Sequence, residues 1–171
     1  MSATLVSSPA ASSVRIYVAE NGSALGEADQ CLIAVTRGEL TQKLAEQQER
    51  ALINLANRYP GNCAYISVIE VTAPPPPSEL RAQSMQVFRS LGDKVSCIGV
   101  VIEGTELRSA LIRAVLTGMT MFVPKMPPTR ICRDHKDAAK WVVQKTFPGK
   151  VDLEHRLTSA IEVIRSKIPG N

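Results

Sequence analysis

Ser78, the Gly104-Thr105 pair, two histidines and four cysteines are the residues whose types and settings could do chemistry. Ser78 follows the run Pro74 to Pro77 and precedes Glu79 and an apolar-periodic stretch, so it stands where a helix N-cap belongs. As an N-cap its hydroxyl has an ordinary structural role. Gly104-Thr105 sits at a strand-to-helix turn and could offer backbone N–H groups to an anion. Yet Glu103 and Glu106 flank it, and neither a Walker nor a dinucleotide glycine pattern is present, so turn chemistry explains the glycine better.

Cys31, Cys63, Cys97 and Cys132 each lie in or beside a β-rich apolar segment, and none forms C-x-x-C. Free thiols acting as small core hydrophobes are expected, neither a disulfide framework nor a zinc site. His135 and His155 sit in charged helical contexts without an H-E-x-x-H partner, so no metal and no cofactor is expected. No acid, base and nucleophile converge in the pattern, and a non-enzymatic role follows.

A second group of residues suits contact rather than chemistry. Leu107, Ala110, Leu111, Ala114 and Val115 form one helical stripe over 105–117, which leaves Arg108, Ile112, Arg113 and Leu116 off it. With Met119, Met121, Phe122 and Val123 they suggest an apolar patch flanked by arginine, the composition of a protein interface or a self-association face. The proline run itself, stiff and without N–H donors, adds Pro74 and Pro77 to the candidate interaction residues.

The elements that must position these residues can be read from hydrophobic period. Val14–Glu20 alternates as a half-buried edge strand, and 21–30, opening with Asn-Gly, reads as a turn-rich connection. Strands follow at 31–36, 63–71, 95–102 and 129–132, the stretch at 95–102 apolar enough for burial on both faces. Helices are expected over 39–58, 79–91, 105–117, 134–145 and 151–167. The order predicts an α/β domain: a mostly parallel sheet of about five strands, an antiparallel edge pair and about five flanking helices. Residues 1–13 read as a flexible tail and 14–171 as a single domain.

Composition narrows the class. Hydrophobic residues at 44% and charged residues at 21% are ordinary for a globular chain of 171 residues. No apolar run reaches the ~20 residues of a membrane helix, and the small, polar start lacks a signal-peptide block, so the cytoplasm is expected. The net charge of +4 divides unevenly, −2 over residues 1–103 and +6 over 104–171. No basic cluster is interleaved with aromatics, which argues against nucleic acid as partner.

The element order, the Arg37-Gly38-Glu39-Leu40 entry to the first long helix, the buried CIGVVIEG strand and TRICRDHKDAAKWV together resemble the STAS fold. That is the fold of anti-sigma factor antagonists and of the cytoplasmic domains of sulphate transporters. The texture of VIEGTELRSALIRAVLTGM and the proline-rich loop resemble a divergent bacterial group within it. The likeness spans about residues 14–146, the last helix being additional. It implies a regulatory module acting through a protein partner, an anti-sigma factor or other regulator, or a second copy in a homodimer. In the antagonists an acidic-serine motif between the third strand and second helix is phosphorylated; Glu70-Val71-Thr72-Ala73 and the prolines stand there instead, and the resemblance makes Ser78, the only serine at the helix start, the candidate phosphosite. The rival expectation is a small-ligand domain, for nucleotide or lipid, with a pocket near loops 73–78 and 104–105.

Overall fold

The computed structural model describes residues 13–104 and 124–170. The expected tail therefore lies outside the described residues except for Ser13, and so does the expected helix 105–117 with Arg108, Ile112, Arg113 and Leu116, together with the apolar stretch 119–123. The described residues form one six-stranded sheet and four α-helices: β1 (Arg15–Glu20), β2 (Ser23–Ala28), β3 (Cys31–Thr36), α1 (Gln42–Arg58), β4 (Ala64–Ile69), α2 (Ser78–Leu91), β5 (Cys97–Ile102), β6 (Thr129–Cys132), α3 (His135–Thr146) and α4 (Val151–Ser166). Strands neighbour one another in sequence order, β1-β2-β3 antiparallel and β3-β4-β5-β6 parallel. The α/β class with a mostly parallel sheet and an antiparallel edge is thus as the sequence predicts.

One strand was not anticipated. Residues 23–28 are not a connection but β2, bounded by two-residue turns at Asn21-Gly22 and Asp29-Gln30. All four turn residues have positive φ, which matches the type I′ hairpin and the strand twist it preserves. SALGEA carries few β-formers, and its Gly26 is required by packing: a Cβ there would lie 2.9 Å from both the Arg15 carbonyl oxygen and Ile164 Cδ1 of α4. Close approach of α4 selects the glycine, and the glycine disguises the strand.

The two sheet faces divide cleanly by the period-two alternation of side chains. On one, Ile33, Val35, Ile66, Val68, Val101 and Cys132 pack against Ala138, Val142, Leu157, Ile161 and Ile164 of α3 and α4. On the other, Leu32, Tyr65, Ile98, Val100 and Ile102 face Leu52 and Leu55 of α1 and Val87 and Leu91 of α2. The additional C-terminal helix is therefore part of the core, crossing β2 and β3.

Local capping sets the helix starts. Thr41 Oγ1 accepts the Leu44 N–H at 3.2 Å, which begins α1 after the Arg37-Gly38 break. Asp134 Oδ1 accepts the Asp137 N–H at 2.8 Å at the start of α3. At α2 the expectation is corrected: Pro77 occupies the cap position, Ser78 is the first helical residue, and no side chain caps the helix. Proline's fixed φ suits a helix entrance, so the stiff run itself directs the chain into α2.

Candidate ligand cavity

The four thiols are free and buried, as expected. Burial pushes Cys31 well above the ordinary thiol range and Cys63 and Cys132 up to about 11. A thiol held that far from its thiolate is a poor nucleophile at neutral pH. Among the described residues no group of three His, Cys, Asp or Glu side chains could hold a metal ion, and no helix is long and apolar enough to cross a membrane. His135 sits 3.2 Å from Glu162 of α4.

Among the described residues, the sheet face under α1 and α2 is incompletely filled. β4 lies between β3 and β5, where a helix layer should seal every side chain, yet Ser67 and Ile69 are only half-buried. Above them is a cavity of about 470 Å³, within the range of small-molecule sites. Its floor is Tyr65, Ser67 and Ile69 of β4, Ile98 and Val100 of β5, and Thr129 and Ile131 of β6. Its helical walls are Ala45, Gln48, Glu49 and Leu52 of α1 and Leu80, Arg81, Ser84, Met85 and Phe88 of α2. Ala73, Pro74 and Pro76 bring the proline loop to its rim.

Among the described residues, α2 is held to both the sheet and α1. Its C-terminal half is pinned to the sheet by buried Val87 and Leu91 and by Phe88, whose ring lies 5.8 Å from that of Tyr65. As a whole, α2 packs more extensively against α1 than against any strand. Between the two helices Gln83 Nε2 donates to Glu49 Oε2 at 2.9 Å, and Gln42 Nε2 donates to Gln83 Oε1 at 3.2 Å. The helices are tied to each other by polar rungs while the space beneath them stays apolar. Tyr65, fully buried there, has its phenol pushed up to about 12, with the Ser67 hydroxyl opposing the shift. It stays neutral at any physiological pH and serves as wall and hydrogen-bonding group.

A cluster of charges braces the loop that forms the rim. Glu70, the residue after β4, is buried; Arg37 Nε donates to its Oε2 at 2.6 Å, and Arg165 Nε of α4 stands 3.2 Å from its Oε1 without hydrogen-bond geometry. Arg165 also donates to Glu103 at 2.7 Å, joining the ends of β4 and β5 to the C-terminal helix. Glu70 N–H donates to the Thr36 carbonyl, Ala73 N–H to the Glu70 carbonyl, and Thr72 Oγ1 to the Arg37 carbonyl. The chain entering the proline run is thereby fixed from three sides.

Of the sequence-derived candidates, Pro74 and Ser78 are exposed and Pro77 half-buried, all on the loop and helix start beside the cavity. Gly104 sits at φ +134°, where L side chains are rarely found, and a Cβ there would meet Val71 Cγ2 at 3.3 Å, which accounts for a glycine without an anion. Sequence reasoning set a pocket near loops 73–78 and 104–105; the cavity reaches Ala73, Pro74 and Pro76 but its lining does not include Gly104, and it extends along β4, β5 and β6, while the bracing roles of Arg37, Glu70 and Arg165 were passed over. A serine in the middle of the apolar strand CAYISVIEV was the available signal for the cavity. Compared with protein-family models, curated proteins and solved structures, the chain finds no match in any of the three.

Proposed function

We propose that this protein is a non-enzymatic binding module that holds a small, largely apolar molecule between its sheet and helices α1 and α2. The cavity carries this reading: a void over central strands forfeits core packing, and filling it with an apolar ligand restores those contacts. Each methylene moved from water to such a site contributes about 0.8 kcal/mol. The aliphatic hydroxyls in the lining, on Thr36, Ser67, Ser84 and Thr129, would orient a ligand rather than hydrate it. Ser67→Phe tests the site. It should fill the void from the floor, abolish saturable binding of dodecan-1-ol and leave the fold intact by circular dichroism. Undiminished binding in that variant would sink the reading.

The STAS-like regulatory role enters as a second reading, favoured by the exposure of Pro74 and Ser78 on a loop that also lines the cavity. In this reading a bound molecule is sensed by a protein partner through the proline loop. A pull-down in which Pro74→Ala and Ser78→Glu leave partner recovery unchanged would remove that loop from the account.

A further inference from the structure

We infer that the molecule held in the cavity is a single-chain monoanionic amphiphile, an alkyl carboxylate, with Arg81 as its head-group partner. This rests on the reading of the cavity as a ligand site and adds the charge and shape of what it takes.

Three charged side chains contribute to the lining: Glu49, Arg81 and Arg130. Two are already engaged. Glu49 accepts a hydrogen bond from Gln83, and Arg130 faces Asp137 of α3 at 3.4 Å. Arg81 makes no ion pair or side-chain hydrogen bond among the described residues. Its acidic neighbour Glu79 is fully exposed and feels the Arg81 charge only as a minor influence.

Arg81 is half-buried in the first turn of α2, on the same wall as Leu80, Ser84 and Met85. A guanidinium in that position offers a planar fork suited to carboxylate oxygens. The remainder of the lining is mainly apolar, with scattered hydroxyls and amides, which suits an alkyl chain better than a polar sugar or base. Glu49 shares the lining, and its carboxylate disfavours a second anionic charge, so a carboxylate suits the site better than a phosphate dianion.

The test is displacement of a fluorescent apolar probe from the full-length protein by decanoic, dodecanoic and tetradecanoic acids and by the alcohols of the same lengths. Affinity should rise about fourfold per methylene in both series, the transfer increment converted to a binding ratio. Each acid should bind about tenfold more tightly than its alcohol, the scale of one partly exposed charge-assisted hydrogen bond. Arg81→Gln should erase that preference while the alcohols still bind with the same step per methylene, which doubles as proof that the variant folds. Arg130→Gln should preserve it. An acid preference that survives Arg81→Gln, or that follows Arg130, overturns the head-group assignment while the alcohols still report a working cavity. If neither series binds the unaltered protein, the cavity reading falls, and this inference with it.

Discussion

Replacing Glu70 by Gln removes one negative charge from between two arginines while keeping the shape of the side chain. Glu70 retains 11% of its side-chain exposure, but its partners Arg37 and Arg165 retain 38% and 22%. Truncating one member of a fully buried pair costs roughly 3–5 kcal/mol, and exposed pairs are worth roughly 0.2–1 kcal/mol. The intermediate exposure places the loss at about 2 kcal/mol, because water screens Arg37 and Arg165 keeps Glu103. For a domain of this size that corresponds to a melting temperature lower by roughly 4–8 °C. Urea unfolding followed by circular dichroism reads it as a lower midpoint at unchanged slope. Combining Glu70→Gln with Arg165→Gln should cost less than the sum, since the second change removes the charge the first left uncompensated. A single-variant loss below about 0.5 kcal/mol, the level of an ordinary surface change, would refute the bracing role given to this cluster.

Gly26→Ala should destabilise by roughly 1–3 kcal/mol, because the added methyl meets the Arg15 backbone and Ile164 together; thermal denaturation checks it, and a neutral result would mean α4 does not press on β2. Asp134→Ala should cost about 1 kcal/mol at neutral pH through loss of the α3 cap. Backbone hydrogen bonds from Asp137 and Lys136 hold the Asp134 carboxyl below its ordinary value. Its contribution is therefore complete above the unfolded value near ~3.9 and fades as acid protonates the folded form, so wild type and variant should converge in stability at lower pH. The four buried thiols should resist an aromatic disulfide reagent at mildly alkaline pH and all react once urea unfolds the chain.

The parallel half of the sheet was plain in the sequence because its strands are short apolar runs separated by amphipathic helices. CIGVVI is buried throughout, and Leu44, Ala51, Leu52 and Leu55 make the inward stripe of α1 as their spacing predicts. The antiparallel end was harder. β2 owes its Gly26 to a helix more than a hundred residues later in sequence, and the Asp29-Gln30 turn reaches positive φ without a glycine to advertise it. The cavity was legible only in part for a related reason. The proline loop pointed to one rim, whereas the lining along β4, β5 and β6 is brought together only by tertiary packing, with Gln83 and Glu49 tying α2 to α1 and Phe88 meeting Tyr65 of the sheet. The Glu70 cluster joins residues 33 and 95 positions apart along the chain, beyond the reach of any local motif.

The most direct test of the central claim is a methyl-resolved NMR titration of the full-length protein with dodecan-1-ol. The cavity account predicts saturable shifts at Ile69, Ile98, Val100, Ile131 and Met85, with Ile66, Val68, Ile161 and Ile164 on the opposite face unmoved. Shifts confined to the α3/α4 face, or none that saturate, would contradict it.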